Sequence, residues 1–298
     1  MVPHRKKFIW IFLTLLTALG LSACASLSAP APTAIPTATL TPQPPTATSE
    51  PLALSVNGES VTLAEFNAEV ARYTTAQTAL GKTVSSADAT SAVINDYIAQ
   101  MLLAQAAYAD GFTLDDAALQ ARIAALTSQV GGAEAISKWQ SEHGYDEQTF
   151  RSALRRGAES AWMRDKIIST VPNTAEQVHV QQILLYNQDT AQTFLAQLNG
   201  GADFNELAFK ADPLTRGDLG WVPRGYLLNA QIEDAAFALE VGGHSDVIAT
   251  DVGFHIVRIL ARDPNRPLSP DALLSLQELA LKKWIDEQRK QANVVLAP

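Results

Sequence analysis

The stretch GDLGWVPRG, residues 217–225, decides the fold of this chain when it is read together with DVGFHIVR, residues 251–258. The first stretch has glycines on both sides of short apolar residues, which is typical of a loop that turns tightly into a strand. The second predicts a turn that leads into a strand with alternating faces at residues 254–261. On that strand His255 shares one face with Val257 and Ile259, which places an imidazole beside aliphatic side chains.

Two further segments belong to the same ordered set: FNELA at residues 204–208, before the first stretch, and IEDAAFAL at residues 232–239, between the two. In this order and at nearly this spacing, such segments occur in the parvulin-type peptidyl-prolyl isomerases, which this region resembles. Several short motifs in order are more specific than any one of them. The resemblance covers about residues 175–262 and implies a small twisted antiparallel sheet surrounded by helices.

The resemblance implies an enzyme that isomerises X-Pro peptide bonds in unfolded polypeptides. Rotation about a peptide bond meets a barrier of about 18–20 kcal/mol, and an unassisted X-Pro bond needs roughly tens to hundreds of seconds to isomerise. A catalyst has to hold the proline ring, accept the twisted amide and exclude water. This chemistry requires no nucleophile, and the resemblance implies no cofactor and no metal.

Three apolar residues match the proline pocket of the parvulins: Leu219, Leu227 and Ile232. The family usually has Leu, Met and Phe at these positions, so Ile232 keeps the pocket apolar but makes it looser. The alternative is that all three are ordinary core residues, as most apolar residues are. Trp221 and Tyr226 are candidates to flank the bound peptide or to cover the core.

The same resemblance implies a polar centre, since parvulins place two histidines, a Cys or Asp, and a Ser or Thr around the rotating amide. His255 matches the second histidine, Asp212 the Cys or Asp, and Thr250 a hydroxyl on the neighbouring strand. The first histidine of the family opens the tripeptide H-I-L, which here reads QIL from residue 182. We therefore expect Gln182, Asp212, Thr250 and His255 to line the catalytic site.

Gln182 is the main departure from the family pattern. An amide can donate and accept hydrogen bonds, but it cannot become charged as histidine does. His179 lies three residues earlier on the same strand and is expected on its opposite face, so it does not replace the missing ring. Two functions remain open: an active isomerase, or a non-enzymatic holdase chaperone whose isomerase fold only binds peptides.

The first 24 residues are interpreted as a targeting segment, with RKK at residues 5–7 before an apolar run at residues 8–21. The sequence LSAC that ends this segment resembles the lipobox of bacterial lipoproteins. That resemblance implies cleavage before Cys24 and a diacylglycerol anchor on its sulfur; the alternative is an uncleaved anchor helix. It places the protein outside the cytoplasm, lipid-anchored to the outer face of the bacterial cell membrane. Cys24 is the only cysteine, so no intrachain disulfide can form.

A linker and a helical region precede the isomerase-like region. Residues 25–51 are almost entirely Ala, Pro, Thr and Ser and predict an extended spacer. From residue 52 the hairpin signal Asn57-Gly58 leads into a series of helices that ends at Ser169. The motif VNGESVTLAEF at residues 56–66, followed by these helices, resembles the N-terminal domain of the SurA and PrsA chaperone-foldases.

In those proteins a C-terminal helix packs back onto the N-terminal helices, and the isomerase domain is an insertion. Residues 269–293 predict such a helix. The predicted fold class is therefore α+β, a helical SurA-like chaperone domain completed by a C-terminal helix, with an inserted parvulin domain. The predicted boundaries are a signal peptide at 1–24, a linker at 25–51, the helical domain at 52–172 plus 266–298, and the parvulin-type domain at 173–265.

The net charge of −9 and the lack of clustered Lys and Arg argue against nucleic-acid binding. The sequence also lacks the short motifs of zinc proteases, phosphate-binding loops and serine hydrolases. The acidic pairs Asp115-Asp116 and Glu233-Asp234 are interpreted as solvated helix starts or faces. The expected function is an extracytoplasmic foldase for exported unfolded polypeptides; a scaffold for envelope assembly is a third possibility that rests on the tether alone.

Overall fold

The structure is a computed structural model that describes residues 50–297. The predicted signal peptide, the lipidation site Cys24 and the linker up to residue 49 lie outside the described residues. None of the helices within the described range combines the length and the apolar character that a membrane crossing requires.

The described residues contain nine helices and seven strands. The helices are α1 (Leu63–Ala79), α2 (Ser86–Ala109), α3 (Asp116–Gln129), α4 (Ala133–Glu142), α5 (Glu147–Ser169), α6 (Gln188–Asn199), α7 (Phe204–Ala211), α8 (Ala230–Ala238) and α9 (Pro270–Gln291). The strands are β1 (Leu52–Val56), β2 (Glu59–Thr62), β3 (Thr174–Leu185), β4 (Asp218–Pro223), β5 (Ile248–Thr250), β6 (Gly253–Pro267) and β7 (Val294–Leu296). They form two antiparallel sheets, with strand orders β2-β1-β7 and β4-β3-β6-β5.

The first sheet joins the two ends of the described chain. Asn57 and Gly58 turn β1 into β2 with φ angles of 53° and 89°, and positive φ at both positions is what the predicted two-residue hairpin requires. Strand β7 then pairs with the other edge of β1, so that Leu296 lies opposite Leu54. The sequence analysis predicts the hairpin but not β7, which is only three residues long.

The helices of the first domain begin where the sequence predicts caps. Thr62 accepts a hydrogen bond from the backbone N–H of Glu65 at 3.2 Å and starts α1. The sequence TLAE at residues 62–65 predicts a capping box. The Glu65 carboxylate does not complete it, because it accepts from the Arg156 guanidinium on α5 at 2.7 Å and from the Tyr97 hydroxyl on α2 at 3.3 Å. This pairing ties three helices together in a part of the domain that is only partly exposed to solvent.

Helix α9 completes the helical domain, as predicted. Trp284 packs against the buried cluster formed by β1, β2, α1 and α2, and Arg289 donates to the Asn95 side chain on α2 at 2.8 Å. The apolar spacing on α2 also places its residues in this core, including the fully buried Met101. The fold is therefore of the predicted α+β class, a helical domain closed by a distant C-terminal helix.

The second sheet has apolar clusters on both faces. Strand β3 is its centre and lies between β4 and β6. Its residues Val178 and Val180 face a cluster that includes α8, while Ile183 faces a cluster that includes α6 and α7. Strand β6 continues to Pro267, further than the predicted end near residue 261, because β3 begins at Thr174 and pairs with it along its whole length.

The chain enters and leaves this sheet at neighbouring points. Thr174 lies opposite Pro267 in the β3–β6 pair. The backbone N–H of Leu268 donates to the carbonyl oxygen of Asn173 at 2.9 Å. Such closely spaced ends are the geometry of a domain inserted into a loop of another domain.

Candidate functional site

The pairing of β3, β5 and β6 brings three of the predicted polar residues together. Leu184 on β3 and Ile248 on β5 both lie opposite His255. Gln182 precedes Leu184 by two residues and so shares its face, while Thr250 follows Ile248 by two. The side chains of Gln182 and Thr250 therefore approach the His255 ring from its two sides.

His255 is hydrogen-bonded through both ring nitrogens. Its Nδ1 lies 3.0 Å from Oε1 of Gln182, and its Nε2 lies 3.0 Å from Oγ1 of Thr250. An amide oxygen only accepts, so Nδ1 carries the proton, and Nε2 of the neutral ring is an acceptor for the Thr250 hydroxyl, which also lies within donating distance of the Gly253 carbonyl oxygen at 3.2 Å. The His255 residue is 4% exposed, and burial lowers its pKa from the ordinary value of 6.5. The site therefore holds a neutral imidazole at neutral pH.

Asp212 is placed beside this row but does not bond to it. Its carboxylate accepts from the Thr215 hydroxyl and from the backbone N–H groups of Leu214, Thr215 and Gly217. These hydrogen bonds, that of the Thr215 hydroxyl first, lower the pKa of Asp212 to about 2. Within residues 50–297 it has no hydrogen bond to Gln182, Thr250 or His255. The Asp212 carboxylate therefore stabilises the loop at residues 212–217 and does not bond to the polar row.

Gly217 connects that loop to the polar row. Its carbonyl oxygen accepts from the backbone N–H of Gln182 at 2.8 Å. A Cβ at this position would lie 1.8 Å from the Gln182 carbonyl oxygen, and φ is +66°. Only glycine allows the loop to approach so closely. Asp212 thus acts on the position of Gln182 through Gly217.

The three predicted proline-pocket residues are brought together on the same face as the polar row. Ile232 is buried in the cluster that contains Val180 and Val257, and the half-buried Leu219 and Leu227 pack against it. Val180 precedes Gln182 by two residues on β3, and Val257 follows His255 by two on β6. An apolar surface therefore adjoins the His255 ring. Tyr226 also packs against this cluster.

Trp221 lies elsewhere. It pairs with His179 across β3 and β4, and their rings stack with centroids 5.4 Å apart. His179 alternates with Val178 and Val180, so this pair occupies the opposite face of the sheet, where Arg266 lies over the indole at 4.1 Å. The position of His179 agrees with the sequence expectation. Trp221 is not brought together with the other predicted substrate-binding residues.

Glu233 has a structural role that the sequence analysis missed. Its carboxylate accepts from the backbone N–H of Gly225, at 2.9 and 2.8 Å to its two oxygens, and from that of Leu227 at 3.3 Å. Interpreting Glu233-Asp234 as a solvated pair was therefore wrong for the first residue. The available signal was a carboxylate in the first turn of a helix that directly follows a glycine-containing loop.

The site offers hydrogen-bonding groups and an apolar surface and no charged group within its polar row. Within residues 50–297 no cluster of three or more His, Cys, Asp or Glu side chains is placed to hold a metal ion. The arrangement is suited to binding a peptide segment and to stabilising a change in its conformation, which needs neither bond formation nor proton transfer.

Two family models match separate parts of the chain. Residues 166–263 match a PPIC-type PPIase domain, and residues 43–154 match a SurA-like N-terminal domain. The first match contains all the site residues described above and the second sheet up to residue 263 of β6. The second contains the β1–β2 hairpin and most of the helices that precede β3.

Curated relatives are similar to part of the chain. The foldase protein PrsA of Geobacillus sp. (strain WCH70) is 33% identical over 102 residues, which is 33% of this chain and 37% of the relative. A parvulin-like PPIase of Rickettsia typhi is 32% identical over 133 residues, 40% of this chain and 46% of the relative. The chain thus matches less than half the length of either relative. A crystal structure of the peptidylprolyl isomerase PrsA from Bacillus cereus is 19% identical, with a TM-score of 0.43 over 78% of this chain and 83% of that one.

Proposed function

We propose that this chain, which combines a SurA-like N-terminal domain with a PPIC-type parvulin domain, is a foldase that isomerises X-Pro bonds in unfolded exported polypeptides. The observation that carries the proposal is the row Gln182–His255–Thr250 next to the apolar surface of Leu219, Leu227 and Ile232. The apolar residues hold the proline ring, and the polar row faces the rotating amide.

The chemistry follows from the electronic structure of the amide. The planar forms are stabilised by resonance, and the barrier of about 18–20 kcal/mol is the loss of that resonance on twisting. Water stabilises the planar, more dipolar amide, so a partly dry apolar site removes part of that stabilisation. A hydrogen-bond donor that binds the carbonyl oxygen of the residue before proline fixes that side of the X-Pro bond while the proline side rotates.

Gln182 is suited to be that donor. Its Oε1 is occupied by His255, and within the described residues its Nε2 makes no hydrogen bond and is not among the fully buried unpaired atoms. The amide N–H groups are thus available to a peptide. His255 and Thr250 fix the orientation of Gln182, and Asp212 fixes its backbone through Gly217.

Clients of this site are proposed to be unfolded chains. Three loops next to the site carry exposed apolar side chains, Leu214 after Asp212, Leu228 after Leu227, and Val252 after Thr250. Exposed apolar groups around a cleft are typical of surfaces that bind other polypeptides. Unfolded segments present such apolar residues and X-Pro bonds together.

A holdase without catalysis is the second candidate. It is favoured by the amide of Gln182 in the place of a family histidine, and by Asp212 being directed to its own loop. In that case the same surface binds proline-containing segments and does not accelerate their isomerisation.

The rate of cis-to-trans isomerisation of an X-Pro tetrapeptide distinguishes the two candidates. We expect the purified protein to accelerate it, and Leu227→Ala to lose most of the acceleration while remaining folded. Gln182→His serves as the second variant. If the protein slows aggregation of an unfolded client but leaves the isomerisation rate unchanged, the holdase is correct, and activity gained by Gln182→His would then identify the cause.

We also propose that the chain is anchored through a lipid on Cys24, outside the cytoplasm and on the outer face of the cell membrane. The support is the LSAC sequence at residues 21–24, and two acyl chains give stable membrane binding where one is marginal. Cys24→Ser should move the protein from the membrane fraction to the soluble fraction of the exported proteins. Unchanged fractionation together with an unmodified Cys24 by mass spectrometry would contradict the anchor.

A further inference from the structure

The loop that carries Leu227 is held from two sides. This pocket loop, residues 224–229, connects β4 to α8. On one side the Glu233 carboxylate accepts from the backbone N–H groups of Gly225 and Leu227. Hydrogen bonds to an ionised acceptor are roughly twice as strong as neutral ones. The loop is therefore fixed at the two backbone positions that flank Tyr226.

On the other side the loop contacts helix α9 of the helical domain. Gly225 has φ of +84°, and a Cβ built on it would lie 2.7 Å from Cδ2 of Leu279 and 3.2 Å from Cδ2 of Leu276. The backbone of Gly225 therefore lies in close contact with the side chains of these two leucines of α9. Helix α9 is itself held on the N-terminal helices through Trp284.

The other contacts of the loop are made by its side chains: Arg224 lies over the Phe237 ring at 4.1 Å, Tyr226 packs against the cluster around Ile232, and Asn229 accepts from the backbone N–H of Ile232 at 3.1 Å. Leu228 is fully exposed and Arg224 and Gly225 are exposed. Leu227 can face the cluster around Ile232 only while the backbone at residues 225–227 keeps its present conformation. The hydrogen bonds from two N–H groups to Glu233 and the contact with α9 stabilise that conformation.

We propose that Glu233 is a positioning residue for the proline pocket, holding the pocket loop against α9 so that Leu227 faces the bound proline. This inference rests on the proposed function. The helical domain then also affects the position of the pocket loop, because Leu276 and Leu279, which contact Gly225, belong to α9. Leu227 contacts the proline ring equally in the planar and twisted amide, so its displacement weakens binding and leaves the turnover of bound peptide nearly unchanged.

The experiment compares Glu233→Gln with Asp234→Asn in the full chain. Asp234 is the next residue, is exposed, and within the described residues has no side-chain hydrogen bond, so its variant controls for loss of one acidic charge. We expect Glu233→Gln to raise KM for an X-Pro tetrapeptide about tenfold, with kcat changed less than about threefold, as for loss of a charge-assisted hydrogen bond. Amide hydrogen exchange at Gly225 and Leu227 should become faster in the same variant.

A second variant tests the α9 side. Leu279 is 46% exposed, so Leu279→Ala leaves the core intact and keeps the test valid if Glu233→Gln unfolds. It should raise KM in the same direction, with kcat preserved. The proposal would be overturned if wild type, Glu233→Gln and Leu279→Ala had equal KM values and equal rates of amide hydrogen exchange at Gly225 and Leu227.

The two proposals fail in different ways. If the wild type has no isomerase activity, the proposed enzyme is wrong, and the dissociation constant of the same tetrapeptide replaces KM as the readout. Weaker peptide binding by Glu233→Gln but not by Asp234→Asn then still supports the positioning role. Equal binding by all three proteins overturns it.

Discussion

At the scale of single residues, His255 links the stability of the protein to pH. Burial lowers its pKa below 6.5, while in the unfolded chain the imidazole titrates near its ordinary value of about 6.5. Above that pH neither state binds the proton, and the folded state has its full stability. As the pH falls below about 6.5, the unfolded chain gains a proton that the folded chain does not bind, so the free energy of unfolding decreases.

We therefore expect the free energy of unfolding in urea to be lower at about pH 5.5 than at about pH 7.5, and the decrease to be smaller in His255→Asn. The lowered pKa of Asp212, about 2, affects the free energy of unfolding only in more acidic solution, so it does not contribute to the difference between these two pH values. An identical decrease in wild type and His255→Asn would show that His255 is not responsible.

A second residue-scale prediction concerns the acceptor for His255. Gln182→Met keeps the length of the side chain but removes Oε1, so the buried Nδ1–H loses its partner. Leaving a buried donor unpaired costs about 1–3 kcal/mol. Urea unfolding should show a loss of that size. Gln188→Met, at an exposed position on α6, should change the stability little, and a loss shared by both variants would contradict the assignment.

The sequence predicts which polar residues meet better than it predicts what each one does. Strand alternation and the family register were enough to bring Gln182, Thr250 and His255 together. Asp212 was expected at the amide, but a carboxylate followed by free loop N–H groups binds them first. Trp221 lies on the opposite face from the other candidate substrate-binding residues because its face depends on the pairing with β3, which contains a bulge between Val180 and Gln181 that a sequence alone does not show.

At the scale of elements, the close approach of the loop at residues 212–217 to β3 restricts which residues the loop can contain. Gly217 and Gly220 have similar φ values, +66° and +71°, but only Gly217 faces a backbone atom at short range. Left-handed backbone costs an alanine about 1–2 kcal/mol at either position. At Gly217 a clash with the Gln182 carbonyl is added, and overpacking costs roughly a further 1–3 kcal/mol.

We expect Gly220→Ala to lower the free energy of unfolding by about 1–2 kcal/mol, and Gly217→Ala to lower it by about 3 kcal/mol or more. Chemical denaturation of the two variants side by side measures the difference. Equal losses would mean that the loop moves away from β3 without cost, and the link from Asp212 to Gln182 would then have no structural importance.

Elements with strong local signals were predicted to within a few residues. Helices α2 to α5 begin at caps or glycines that are visible in the sequence, and the Asn57-Gly58 turn requires no tertiary information. Strand β7 and the far half of β6 were not predicted. They exist because distant partners are available, β1 for β7 and the start of β3 for β6, and such pairing leaves no local pattern.

At the scale of the whole molecule, the second domain is an insertion with adjacent ends, Asn173 and Leu268. We expect a chain in which a short Gly-Ser turn replaces residues 174–267 to fold as a helical protein, since the turn spans the same gap. Circular dichroism should show cooperative thermal unfolding of this chain. It should lack isomerase activity.

The excised segment provides the matching control. Residues 173–268 alone should fold, and they should bind an X-Pro peptide less tightly than the full chain because α9 no longer supports the pocket loop. If the helical remainder shows no cooperative transition, the predicted boundaries at 52–172 plus 266–298 and at 173–265 do not separate independent domains.

The pairing of β7 with β1 also sets an order of events during synthesis. Asn57 and Asn293 bond to each other across 236 residues of chain, so the helical domain has one part made before the insertion and the other part made after it. Domains form as units while the ribosome advances at roughly 5–20 residues per second. The second sheet, which is built from one continuous segment of the chain, can thus be completed before α9 and β7 have been synthesised. For several seconds the nascent chain is itself an incompletely folded polypeptide, with an apolar face that α9 has yet to cover.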